Sequence, residues 1–390
     1  MTHVLVLGTA EWDQAIATNQ HYAVRELSEQ HEVTYVESMG LRRVELTWRD
    51  ARRIWGRLRR AKAAGRTTTA RVVPTGARIV SPVVVPYHRG PIRVLNAWLL
   101  RRQVRPWLSS GDDRVLWLYT PVTYGLDRDA SATVYHCVDL LGTFPGIDAG
   151  LIERAEADVA LAGAVAAGSS PAVVEHLVSM KFELVLSWPN VADLEVFGHE
   201  SDDAPETLPQ AVFAGNLTAR KVDFDLLRAL LQQGVKLHLA GPVSEGGGAD
   251  QKLVDDLMAA GAVHHGLLSP AELAHLYRQC TVGLIPYVES DYTQGVSPLK
   301  TYEYLAAGLA VVSTGVPSVA PVAGDVVVCE PRTFVPEVVS AVSAGVPNKD
   351  TAARRRAIAS DHGWSARGEE MRRLVDSLIA ESGNLRASRP

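Results

Sequence analysis

Short apolar runs alternate with amphipathic stretches along almost the whole chain, and most of the runs are apolar throughout rather than at every second position. A strand covered on both faces has that signature, and the amphipathic stretches between the runs supply the covers, so the pattern is that of parallel sheets flanked by helices. In the first half it predicts strands over 3–7, 31–36, 133–138, 159–162 and 184–186, with a helix over 20–30. After 210 the rhythm restarts, with strands over 211–213, 236–239, 282–284, 310–312 and 326–328 and helices over 223–232 and 270–279. The stretch 189–210 between the halves is acidic, proline-bearing and aperiodic, and has the character of a linker. The expectation is an α/β protein of two Rossmann-like domains, 1–190 and 191–364, in which the amphipathic stretch 365–390 either closes the second domain or crosses back to complete the first.

A length of 390 residues agrees with two domains, and 47% apolar with 21% charged residues is the balance of a globular protein, excluding a disordered or fibrous chain. The opening MTHVLVLGTA lacks a basic segment and has a short apolar run, so it reads as a buried strand and not a signal peptide; no run approaches the roughly 18–20 apolar residues of a membrane span. Cys137, Cys280 and Cys329 are odd in number and far apart, which fits reduced thiols packed as small apolar groups in a cytoplasmic protein. Net charge adds an asymmetry. Residues 1–110 hold 18 Lys and Arg against 8 Asp and Glu, a net +10 that leaves −15 for the remainder. A basic first half suits an anionic partner. Residues 42–66 mix ten basic side chains with Trp48, Ile54, Trp55 and Leu58, and 92–108 combine Trp98 and Trp107 with Arg93, Arg101, Arg102 and Arg105, Arg89 lying nearby. Both have the composition of helices at the surface of an anionic membrane, peripheral on its inner face; the alternative is a solvated basic helix with its tryptophans packed inward. No nucleic-acid motif accompanies them, so nucleic acid is not an expected partner.

The sharpest chemical constellation is SPLKTYEYLAAG, 297–308, followed directly by the apolar run LAVVST. Ser297 and Pro298 suit an N-cap and a rigid first turn, leaving the amides through Leu299 open to a diphosphate. Lys300 adds an ammonium there, and Glu303, one turn on, is placed to accept both hydroxyls of a ribose. An ordinary capped helix with an i, i+3 ion pair is the competing account. FAGNLTARK, 213–221, sends a strand into Gly215 and Asn216 with Lys221 following; LAGP ends another strand at Gly241; HHG carries His265 and Gly266. Loops at successive strand ends of one parallel sheet converge on one crevice. In the first half Asp139 follows a strand, where a carboxylate can deprotonate a hydroxyl, while Gln20, His21 and His136 are acceptor-side candidates. Asp127-Arg128-Asp129 imitates a metal-binding DxD but reads as a solvated turn, and no metal is expected.

LKTYEYLAAGLAVVST, preceded in order by VFAGNL, LAGP and IPY (285–287), resembles the donor-binding half of the GT-B glycosyltransferases of family four. Within that group the chain is most similar to enzymes of bacterial cell-surface polysaccharide assembly, of the teichuronic-acid and xanthan glucuronosyltransferase kind; WDQAIATNQH, YVESMGLR and YHCVDL extend the resemblance, more loosely, to the first half. It implies two domains facing each other across a cleft, a nucleotide-sugar donor, a UDP-sugar above all, and a glycan, glycolipid or small-molecule acceptor, with no cofactor or metal. It further implies that Lys300 and Glu303 bind the diphosphate and ribose, that the backbone amides around Ser297, Pro298 and Leu299 help hold the phosphates, that Lys221 approaches them, that the loop of His265 and Gly266 holds the base, and that Asp139 is a catalytic base. Two positions depart from the family: Gly295 stands where a second glutamate is usual, and Asn216 where an arginine follows the phosphate-loop glycine. Inverting and retaining chemistry therefore both stay open, as do two rivals on the same fold, a UDP-sugar 2-epimerase and a non-catalytic nucleotide-sugar-binding protein.

Overall fold

A computed structural model describes residues 2–14, 16–41, 71–111, 113–144, 146–198, 206–243 and 248–387. The chain divides into two compact units, Met1–Trp188 with Gly368–Pro390, and Pro189–Arg367.

The first unit is built on a seven-stranded sheet of order β3-β2-β1-β4-β5-β6-β7. Its strands are β1 (His3–Leu7), β2 (Glu32–Val36), β3 (Ala77–Val80), β4 (Arg114–Leu118), β5 (Ala132–Cys137), β6 (Val165–Gly168) and β7 (Val185–Ser187). Every pairing is parallel, so Leu5 stands between Thr34 and Leu116. Val4, Leu5, Val6 and Leu7 are all fully buried, which is why the run shows no alternation: helices cover both faces. Those helices are α1 (Asn19–Leu27), α2 (Gly90–Gln103), α3 (Arg105–Leu108), α4 (Ala149–Leu161) and α5 (Pro171–Ser179). The run 159–162 is not a strand. It is the end of α4, with Val159 and Ala160 turned inward and Leu161 90% exposed, and the strand follows at β6. Trp107 likewise belongs to the core and not to a surface face: it is fully buried and its indole donates to the carbonyl of His3. Residues 42–66 lie outside the described residues.

The second unit has a six-stranded parallel sheet of order β10-β9-β8-β11-β12-β13. The strands are β8 (Ala211–Ala214), β9 (Leu237–Ala240), β10 (Val263–His264), β11 (Val282–Ile285), β12 (Ala310–Thr314) and β13 (Val326–Cys329). They alternate with α6 (Leu194–Phe197), α7 (Phe224–Gln232), α8 (Gly248–Ala259), α9 (Pro270–Arg278), α10 (Asp291–Gln294), α11 (Lys300–Ala306), α12 (Pro331–Ser343) and α13 (Lys349–Ser360). The described start of the aperiodic stretch is packed rather than loose: Val191, Ala192 and Phe197 are buried in this unit. The final helix α14 (Trp364–Ala387) enters the first unit at Gly368. There a Cβ on Gly368 would lie 2.3 Å from Glu26 Oε2, and Arg372 donates to the Glu26 carbonyl at 2.7 Å and pairs with Glu29 at 2.8 Å, locking α14 onto α1. Among the described residues no helix is long and apolar enough to cross a membrane.

Candidate functional site

In a parallel sheet the loops after the strands gather at one edge, and three of those in the second unit touch through bare backbone. Gly215, after β8, donates its N–H to Ala240 at 2.8 Å; Gly241, after β9, donates to Gly266 at 2.7 Å; the His265 N–H reaches Leu239 at 2.9 Å. Gly241 adopts φ +130°, and a Cβ there would stand 2.0 Å from the Gly215 carbonyl oxygen, so only glycine lets the two loops meet. Over this surface lies Lys300, the first residue of α11, whose Cε would come within 3.1 Å of a Cβ on Gly215.

Lys221 is aimed by a separate device. Val222 bridges Tyr287 in antiparallel fashion, with Val288 N–H bonded to the Lys221 carbonyl at 3.0 Å and Asp223 N–H to that of Pro286 at 2.8 Å. The Lys221 ammonium sits 4.6 Å above the Tyr287 ring. Tyr287 is buried, and its hydroxyl is pushed up to about 12 by that burial, an effect the nearby Lys300 charge opposes. Lys221 is thus held on Tyr287, while Lys300 lies over the Gly215 turn. Glu303, one turn along α11, is half-buried, with Oε2 accepting the buried Tyr277 hydroxyl at 3.1 Å. That leaves a carboxylate fixed in orientation.

Ser297 does something other than cap. The helix begins at Lys300 with Leu299 before it and no side-chain cap; the Ser297 hydroxyl accepts from the Asn190 N–H at 3.2 Å, and its carbonyl from Asn190 Nδ2 at 2.7 Å. Asn190 therefore pins the approach through Pro298 to Lys300, a contact spanning 107 positions that no local pattern announces. His265 stacks on His238 with ring centroids 5.2 Å apart and their nitrogens 2.9 Å apart. Burial lowers both imidazoles, and each of the pair is lowered further by a neighbouring histidine, His265 acting on His238 and His264 on His265. Asn216 is half-buried next to the Gly215 turn.

In the first unit Gln20 and His21 are both 4% exposed and are engaged with the loop after β1. Gln20 Oε1 accepts from the Thr9 N–H at 2.8 Å and the Tyr35 hydroxyl at 3.0 Å, and its amide donates to Thr9 Oγ1; His21 bonds the Thr18 N–H at 3.0 Å and faces the Glu11 carbonyl at 3.2 Å. They shape that loop from within. His136 is 2% exposed, walled by Trp117, Tyr119 and Trp188, and so sits among aromatic rings rather than at a surface. Asp139 is half-buried just beyond β5, at the same sheet edge as the β1 loop. In the DxD-like turn Asp129 pairs with Arg101 at 2.7 Å and Asp127 accepts from Thr123, so both carboxylates are structural.

Two parallel α/β units of this build have the GT-B fold. Residues 209–345 match the family of Glycosyl transferases group 1, so the second unit carries a domain of that family. Over 100 residues, 25% of each chain, the protein is 36% identical to TuaH of Bacillus subtilis (strain 168), assigned as a teichuronic acid biosynthesis glycosyltransferase; the match thus spans a quarter of that relative's length. Sucrose-phosphate synthase from Thermosynechococcus elongatus superposes with a TM-score of 0.68 at 13% identity, covering 97% of this chain and 100% of that one. The E. coli trehalose-6-phosphate structure bound with UDP-2-fluoro glucose gives a TM-score of 0.60 at 12% identity, covering 96% and 99%. At such identities these likenesses speak for the fold.

Proposed function

We propose that the protein transfers a sugar from a nucleoside diphosphate sugar, a UDP-sugar, to an acceptor hydroxyl, with 191–364 as the donor-binding domain and 1–190, completed by 365–390, as the acceptor-binding domain. Lys300 lying over the Gly215–Gly241 contact, with Lys221 held on Tyr287 after the same strand β8, carries this reading. Glycines without side chains let a diphosphate approach the backbone closely, and ammonium groups there neutralise the charge that builds on it as the glycosidic bond breaks, a task that needs no metal. Glu303, its carboxylate oriented by Tyr277, accepts the ribose hydroxyls, and the His265–Gly266 turn supports the base. Asp139 acts as the base toward the acceptor, which is a glycan, a glycolipid or a small molecule. The exposed Val94, Leu95 and Trp98 of α2, interleaved with arginines, support contact with an anionic membrane surface.

The test is thermal unfolding of the full chain with UDP, GDP, TDP and ADP. A nucleotide at 100 times its dissociation constant stabilises by about 2.7 kcal/mol. One nucleotide, UDP, is expected to stabilise the protein and to lose its effect in Lys300→Ala and Glu303→Ala. Stabilisation by none of the four overturns the donor site.

A further inference from the structure

The first unit holds a largely apolar cavity with charged side chains on its wall. It measures about 230 Å³ and lies between the start of α2, the loop after β4 and the outer face of α4, where Arg93, Thr123 and Arg154 line it. Its frame is fixed. Asn96 is fully buried and clamps the incoming strand, accepting from the Val85 N–H and donating to the Val85 and Tyr87 carbonyls. His88, on the cavity wall, bonds the Tyr124 hydroxyl through Nδ1 and the Gly40 carbonyl through Nε2 at 3.0 Å, so both ring nitrogens are occupied; its burial lowers its pKa, which keeps it neutral.

The arginines around this frame fall into two kinds. Arg89 is ion-paired with Asp148, the residue that caps α4, and Arg101 is held by both oxygens of Asp129. Each has its charge answered within the unit and serves to tie elements together. Arg93 and Arg154 have no carboxylate within ion-pair distance among the described residues, although both line the one cavity. Asp158, one turn beyond Arg154 on α4, is on the wall too and pairs with neither. Arg93 also borders an adjoining hollow of about 460 Å³ whose wall runs along α2 to Val94 and Ala97, beneath the exposed apolar face of that helix. Two guanidinium groups on the wall of one recess, each with planar pairs of N–H donors and neither answered by a carboxylate among the described residues, match a tetrahedral anion better than a sugar.

We propose that this recess is a phosphate site, in which Arg93 and Arg154 bind a phosphate monoester or diester. Its source is either the soluble part of the acceptor or the headgroup of a lipid, and only the word acceptor rests on the transferase reading. The site differs from the donor site in unit, residues and ligand.

The test uses hydrogen exchange of the full chain, followed over residues 86–95 and 150–158. One arm adds sn-glycerol 3-phosphate; the other adds vesicles of phosphatidylglycerol, with phosphatidylcholine vesicles as reference. Protection of both segments is expected, with affinity falling roughly tenfold or more in Arg93→Gln/Arg154→Gln. Arg102→Gln/Arg105→Gln removes the same charge outside the cavity and is expected to change affinity less than about twofold. Protection by the soluble ester assigns the site to a free phosphate group; protection by the anionic vesicles alone assigns it to a lipid headgroup. Equal loss in both double variants means diffuse charge attraction and overturns the site, as does protection in neither arm. UDP stabilisation, measured on the same variants, is expected to persist, and its absence in the wild type would count against the donor site alone.

Discussion

Replacing Gly241 by alanine places a methyl carbon 2.0 Å from the Gly215 carbonyl oxygen and 2.8 Å from its carbon, both backbone atoms with no rotamer to retreat into. The loops must part by about an ångström, which stretches the Gly215-to-Ala240 and Gly241-to-Gly266 bonds, now 2.8 and 2.7 Å. Each such bond is worth about 1 kcal/mol net, and more if its donor is left dry. Holding alanine at φ +130° adds about 1–3 kcal/mol of strain. Together the second unit should lose about 3–5 kcal/mol. With a urea dependence of about 2 kcal/mol/M for a unit of this size, its midpoint should fall by about 2 M. Urea unfolding followed by circular dichroism, paired with UDP titration below the transition, reads both consequences. A variant with an unchanged midpoint and unchanged UDP affinity would show that the loops do not meet as described, and the account of the phosphate surface would go with them.

Gly215→Ala should act on the site as well, because its new methyl meets the flexible end of Lys300 at 3.1 Å; the lysine is displaced, the φ of +153° costs about 1–3 kcal/mol of stability and UDP binding weakens roughly tenfold, as calorimetry would show. Gln20→Leu strips the Thr9 N–H of its acceptor and leaves the Tyr35 hydroxyl to the Ala10 carbonyl alone, so exchange of amides 8–14 should accelerate and stability fall by about 1–3 kcal/mol. His176 bonds the buried Glu156 at 2.8 Å, and that bond raises its pKa. Its stabilisation is therefore full below the unfolded value near 6.5 and disappears as pH rises through the higher folded value. His176→Gln should thus destabilise most at pH 5–6 and least above pH 9, and a deficit constant with pH would contradict it. Asp139→Asn, in the transferase reading, should cut turnover by about 10²–10⁴ while leaving UDP affinity intact.

The parts of the fold that were legible are those in which burial acts on a contiguous run. HVLVL is apolar at every position because helices cover both faces of β1, so the run shows in the sequence. The run 159–162 looked the same and is the inward turn of a helix, while the true strand, VAAG, lacks the β-branched weight that marks one. The glycine loops were visible for a similar reason, since a glycine at a strand end is a local requirement. The roles of Asn190 and Tyr277 were not, because each depends on a partner far along the chain. Ser297 shows the limit: its neighbours made it look like a cap, and a distant asparagine gives it another task.

The locking of α14 onto α1 bears on the order in which the protein is made. A ribosome delivers the first unit's strands early, yet the residues that engage Glu26 and Glu29 from Gly368 onward leave the exit tunnel only after the whole second unit. The second unit, bounded by Pro189 and Arg367, has all its strands in hand before that. The unit synthesised second can close first, while α1 waits with Glu26 uncovered, and a chain stopped at Arg367 would hold a finished second unit attached to an unfinished first one.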